Sequence, residues 1–157
     1  MTVVPAATAE AVRLIEAHFA ALEVGARVAL ERTYTEADVA EYVERTGIEY
    51  PGQHVADDGA HLLPPGMLLV GPARTFGILE GPPLARGGLF TAATRRYRRP
   101  VRLGESVRYE AALTDKFERG GYFYILVAWH AFDAEGHEVG SGVEEHTVGS
   151  ARKPRAS

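Results

Sequence analysis

Apolar residues recur at three- and four-residue steps near the start of the chain. Between Thr8 and about Leu22 they fall at Val12, Ile15 and Phe19. This spacing places them on one side of a helix, so it predicts an amphipathic helix with one buried stripe.

A strand and a second helix are predicted next. Residues alternate from Arg27 to Thr33, as in a half-buried strand. Thr35 and Asp38 then form a T-x-x-D capping pattern at a helix start. Val39, Tyr42 and Val43 supply its apolar face, and Gly47 is expected to end it.

Met67 to Leu79 is almost wholly apolar, which predicts a helix buried on all sides. Pro72 predicts a kink, or a helix that restarts at that residue. Arg74 stands out in this segment because a buried guanidinium must be paired or face a cavity. It is therefore a structural ion pair or subunit contact, or an anchor for a polar group of a substrate.

The rest of the chain has the pattern of a β meander. Strands are predicted over 86–99, 106–117, 122–132 and 137–148, with turns at Gly120-Gly121 and at 133–136. The run from Tyr122 to Phe132 is continuously aromatic and β-branched, which is typical of a strand covered on both faces. A sheet that curls around the apolar helix would bury that helix, so the predicted class is α+β.

Composition limits the possible functions. The chain has 157 residues, 46% of them hydrophobic and 24% charged, as expected for one globular domain. We expect that domain over 1–149, with the N-terminal helix as an addition and a loose tail over 150–157. There is no cysteine, and the formal charge of −4 argues against nucleic-acid binding. The start has no signal-peptide pattern and no apolar stretch is long enough for a membrane span, so a cytoplasmic location is expected.

Three segments together resemble the MaoC-like hot-dog family of enoyl-thioester hydratases and dehydratases. Thr46-Gly47 ends a helix where the family carries a G-D-x-N-P-x-H motif. Pro65-Gly66-Met67-Leu68-Leu69 is similar to the segment that opens the family's buried helix. The most specific mark is 98–105, R-R-P-V-R-L-G-E, which resembles a strand junction of the family. The resemblance implies a hot-dog fold, an antiparallel sheet wrapped around a central buried helix.

The resemblance also implies a chemistry. The backbone N–H of Gly66 would hold the thioester oxygen, since an N–H at a helix start is an unpaired donor at the positive end of the helix dipole. An Asp and a His on the preceding loop would act as general acid and base. An ungapped alignment places Ile48 and Gln53 at those two positions, so the pair is absent in that register.

A shift of one residue gives Glu49 and His54 the family's five-residue separation but misplaces Pro51. We predict Glu49 and His54 as the displaced catalytic pair, with a polar surface loop as the alternative. Tyr50, Gln53 and Arg74 are predicted to contact substrate.

Two further polar groups allow alternatives. Asp57, Asp58 and His61 lie near His54 like metal ligands, but their spacing favours a solvated loop. The arginines around Tyr97 either bind phosphates of coenzyme A or an acidic carrier protein, or are solvated at a strand end; they are Arg95, Arg96, Arg98 and Arg99.

The sequence leaves three functions open. The first is a hydratase or dehydratase of an acyl thioester on coenzyme A or a carrier protein, with no metal or redox cofactor. The second is a non-catalytic acyl-binding subunit of a heteromeric dehydratase. The third is a hot-dog enzyme repurposed as a thioesterase, cyclase or isomerase. A homodimer or higher oligomer is expected, or a heterodimer with a catalytic hot-dog subunit.

Overall fold

A computed structural model describes residues 9–47, 55–80 and 89–150. The helices in these ranges are α1 (Ala9–Ala21), α2 (Glu36–Thr46) and α3 (Val70–Glu80), with a 3-10 helix (Pro65–Leu69) directly before α3. The strands are β1 (Arg27–Thr33), β2 (Leu89–Tyr97), β3 (Ser106–Arg119), β4 (Tyr122–Phe132) and β5 (Glu138–Ser150).

The five strands form one antiparallel sheet in the order β1-β3-β4-β5-β2. The register places Tyr109 opposite Ala131, and Trp129 opposite both Ala111 and Gly142. Because directly opposite residues point to the same face, these side chains share one inner face of the sheet. That face carries most of the buried core.

Local signals in the sequence account for several element ends. Thr35 and Asp38 form the predicted capping box at the start of α2. Gly47 ends α2 in the left-handed conformation, with φ 64°, and its N–H donates to Val43 O. The prediction that β4 is covered on both faces is wrong. Its buried residues alternate with half-buried or exposed ones, so one face only is closed.

The central helix begins as a 3-10 helix and becomes α-helical at Val70. Pro72 therefore lies in the first turn of α3, where a proline is tolerated. The change of helix type at Val70 replaces the predicted restart at Pro72, which is not observed.

One side of the central helix packs against β1 and β3, and the other is exposed. The buried side consists of Met67, Leu68, Gly71, Pro72, Thr75 and Phe76. Ala73, Arg74, Gly77 and Ile78 are exposed. The prediction that this helix is buried on all sides, and that Arg74 is buried with it, is wrong for the single chain. The sheet covers the helix from one direction only.

The N-terminal helix packs on the far end of the same inner face. Phe19 stacks on Phe123 of β4, with ring centroids 4.6 Å apart. The Lys116 ammonium donates to the carbonyl oxygens of Phe19, Ala20 and Leu22, which satisfies the carbonyls at the end of α1. The N-terminal helix, expected as an addition to the domain, is thus held by specific contacts to the sheet.

Gly71 brings α3 close to the sheet, because a methyl group at this position would overlap the ring of Tyr109. We predict that Gly71→Ala lowers the free energy of unfolding by about 2 kcal/mol through overpacking. Gly77→Ala is the matched control in the same helix, since nothing lies near a Cβ there. It should raise that free energy by about 0.5–1 kcal/mol through helix propensity. Urea denaturation measures both, and equal effects would contradict this helix orientation.

Candidate functional site

The head of the central helix presents a backbone donor. Pro65 has no N–H, and Met67 N–H donates to Pro64 O at 2.9 Å. Gly66 therefore carries the first N–H of the helix. No side chain caps this end, and among the described residues no partner for that N–H is found. An oxygen that carries negative charge is the natural ligand for such a group.

Two buried tyrosines fix this end of the helix from behind. Tyr34 Oη donates to Met67 O at 3.1 Å and lies 2.7 Å from Tyr109 Oη. Since the Tyr34 proton goes to Met67 O, Tyr109 donates to Tyr34. Burial raises the pKa of both phenols, so both keep the protons that this chain of hydrogen bonds requires.

A third tyrosine lies on the other side of the helix head. A methyl group at Gly66 would overlap the Tyr42 hydroxyl, and Tyr42 Cζ is 3.2 Å from that Cβ position. Tyr42 is half-buried on α2, with its ring packed against the core. The sequence predicted Tyr42 only as part of an apolar helix face, so its place beside Gly66 was missed.

A buried carboxylate lies on the inner face beyond the helix. The Glu144 side chain is 1% exposed, and its oxygens accept hydrogen bonds from Arg95 Nε and Nη2, both at 2.9 Å. Trp129 Nε1 donates to the same carboxylate at 3.0 Å. A buried carboxylate needs such a set of donors. Together these contacts hold the Arg95 guanidinium, one-third exposed, on the inner face of the edge strand β2.

Gly142 makes this network possible, since a Cβ there would lie 2.6 Å from Trp129 Nε1 and 2.9 Å from Thr94 O. The indole can therefore lie across β5 and reach Glu144. A glycine inside a strand often marks such a close approach, and this was the signal in the sequence that could have indicated the network.

The inner face near β2 is left open by α3. His146 is buried between Phe76 of α3 and Phe90 of β2, with ring centroids 4.9 Å and 4.1 Å away. Phe90 is nevertheless 58% exposed and Tyr97 is 42% exposed. The pKa of Tyr97 is raised chiefly by burial and also by Glu144 and Tyr42, against a lowering effect of Arg95. Phe90 and Tyr97 thus leave aromatic surface exposed along β2.

The structure describes only part of the predicted site. Glu49, Tyr50, Gln53 and His54 lie outside the described residues, so their roles stay predictions. Gly66 lies at the head of the central helix, and Arg74 is on its exposed side.

The polar loop after residue 54 has partners of its own. Asp58 accepts a hydrogen bond from Arg102 at 2.7 Å, and His61 Nδ1 lies 3.6 Å from Glu36. These contacts favour the solvated-loop interpretation over a metal site.

The arginines around Tyr97 mostly bind carboxylates of the chain. Arg95 pairs with Glu144, as described above, and Arg98 lies 3.5 Å from Glu138. Arg99 Nη2 contacts Glu105 at 2.8 Å and Asp133 at 2.7 Å. The segment 98–105 therefore joins the β2–β3 connection to the β4–β5 turn, and its charge is largely neutralised there.

Solved structures share this architecture. The R-hydratase PhaJ1 from Pseudomonas aeruginosa is 21% identical, with a TM-score of 0.68 over 88% of this chain and 94% of that one. A MaoC-like dehydratase from Rhodospirillum rubrum is 15% identical, with a TM-score of 0.59 over 85% and 95%. The chain has a hot-dog fold. The predicted fold class and the resemblance to MaoC-like proteins are confirmed at the level of the fold.

A third similar structure is a complex of two proteins. The ChsH1-ChsH2 complex from Mycobacterium tuberculosis contains a chain 15% identical to this hot-dog protein, with a TM-score of 0.62 over 80% of this chain and 97% of that one. No protein-family profile and no curated protein matches the sequence. Among the described helices, none is long and apolar enough to cross a bilayer.

The Arg99 contacts predict a pH dependence of stability. Hydrogen bonds from Arg99 hold the pKa of Glu105 and of Asp133 below their usual values. Carboxylates with a lowered pKa stabilise the folded state above their ordinary pKa, and this contribution is lost as the pH falls through the folded-state value. The difference in urea midpoint between wild type and Arg99→Met should therefore be larger at about pH 6 than at about pH 3. Arg96→Met, at an exposed neighbour, is the control and should show no such change. If the difference in urea midpoint between wild type and Arg99→Met did not change with pH, it would contradict the role of Arg99 in lowering the two pKa values.

Proposed function

We propose that this protein binds an acyl thioester at the head of the central helix and adds or removes water across its α,β double bond. The observation that carries the proposal is the Gly66 N–H, the first donor of that helix, for which the described residues supply no partner. Removal of the weakly acidic α proton places negative charge on the thioester oxygen. A fixed donor at a helix start stabilises that charge.

The remaining roles rest on the sequence. His54 would be the general base, and Glu49 would handle the water or the β-hydroxyl group. Both belong to the segment between Gly47, the end of α2, and Val55, which pairs with His61. Tyr50 and Gln53 would contact the acyl group. The exposed Arg74 would contact a polar or phosphate-bearing part of the coenzyme A or carrier arm. The reaction needs no metal or redox cofactor.

The His54 assignment predicts a specific loss of activity. Wild-type protein should hydrate short or medium enoyl-CoA, followed by the loss of enoyl-thioester absorbance. His54→Ala should lower kcat by at least about 100-fold, as for loss of a general base. His61→Ala is the control, since its exposed side chain lies beside Glu36. A His54→Ala rate equal to that of wild type would remove His54 from the mechanism.

The second candidate is a non-catalytic acyl-binding subunit. Ile48 and Gln53 at the family's catalytic positions favour it, and so does the likeness to a chain of a two-protein complex. This candidate predicts no turnover by the purified chain and activity only with a hot-dog partner. Release of free thiol instead of hydration would indicate the thioesterase alternative.

The edge strand β2 is a candidate dimer interface. Among the described strands it pairs with β5 alone, and its side chains from Phe90 to Tyr97 are all exposed. Unpaired backbone groups at a sheet edge favour pairing with another strand. We therefore propose a homodimer through β2, in which the partner covers Phe90 and Tyr97.

The dimer has a direct test. Light scattering at micromolar concentration should give twice the chain mass of 17.0 kDa. A monomer mass would contradict edge pairing of this chain with itself and would favour a different hot-dog partner.

A further inference from the structure

The residues 34–42 place one tyrosine on each side of the helix head. Tyr34, directly after β1, donates a hydrogen bond to Met67 O from the buried side of the helix. Tyr42 reaches the same end from α2 and covers Gly66. The capping box at Thr35 and Asp38 fixes where α2 begins, so the position of Tyr42 follows from the start of that helix.

The geometry places the Tyr42 hydroxyl close to the Gly66 amide. In a helix, the Cα–Cβ bond and the backbone N–H both tilt toward the N-terminus. A hydroxyl that occupies the Cβ position of Gly66 is therefore on the same side of the helix as its N–H. Within residues 9–47, 55–80 and 89–150, no hydrogen bond of this hydroxyl is found. This arrangement requires glycine at position 66, since any side chain here would displace Tyr42.

We infer that Tyr42 is a catalytic residue whose hydroxyl is the second hydrogen-bond donor for the thioester oxygen, beside Gly66 N–H. This inference rests on the proposed function. A phenol is a suitable donor because its O–H can be directed at a carbonyl oxygen. Paired backbone and side-chain donors are a common form of oxyanion hole.

Tyr42 keeps its proton throughout the reaction. In dehydration, the α proton passes to the base and its electron pair moves onto the thioester oxygen. The pair then returns to form the α,β double bond as the β-hydroxyl leaves with a proton as water. The Tyr42 hydrogen bond is strongest while the oxygen carries the charge, so it acts on the barrier more than on substrate binding.

Kinetics provide the first test. Tyr42→Phe keeps the ring packed on the core and removes only the hydroxyl. It should lower kcat and kcat/KM for enoyl-CoA hydration by about 100-fold while KM changes little. Tyr122→Phe, at an exposed strand end, is the matched control and should match wild type. A Tyr42→Phe rate within about twofold of wild type would overturn the inference.

An infrared measurement separates this inference from the proposed reaction. Saturated hexanoyl-CoA labelled with ¹³C at the carbonyl cannot be hydrated but can bind. Its carbonyl stretch should shift to lower frequency on wild-type protein and shift less on Tyr42→Phe. If wild type fails to hydrate enoyl-CoA, the proposed reaction fails while this difference still supports the donor. An equal shift on both proteins, or no binding of hexanoyl-CoA, would overturn the inference.

Discussion

The contact between Gly71 and the ring of Tyr109 is the constraint on which the rest of the molecule depends. It sets how closely the central helix approaches the sheet, and only a residue without a Cβ allows that distance. The hydrogen bonds from Tyr109 to Tyr34, and from Tyr34 to Met67 O, then fix the rotation of the helix head. A backbone donor is useful in catalysis only if it is held in one place. The position of the Gly66 amide is therefore a consequence of core packing on the opposite side of the helix.

The polar residues of the inner face have a different role. Glu144 is buried because Arg95 and Trp129 supply donors for it, and Gly142 leaves room for the indole. This network joins β2, β4 and β5 on the part of the inner face beside α3. Apolar residues at these positions would need no donors for a buried carboxylate. The ion pair between Arg95 and Glu144 is therefore consistent with a surface that contacts polar groups.

Local signals in the sequence predicted most of the fold. The capping residues were sufficient to predict α2, alternation was sufficient for β1, and the flanking turns were sufficient for the limits of β4. Each of these features acts over a few residues. The apolar helix was predicted, but not its exposed side, since coverage depends on where the sheet lies. Non-local contacts were missed for the same reason. Nothing in the local pattern joins Tyr42 to Gly66, or Trp129 to Glu144, until the strand register and the helix packing bring them together.

The most direct test of the central claim is a crystal structure with bound hexanoyl-CoA. We expect the thioester oxygen to lie about 3 Å from Gly66 N, within hydrogen-bond distance, with the acyl chain on the inner face of the sheet. An acyl group bound on the outer face of the sheet, or a thioester oxygen remote from the helix head, would contradict it.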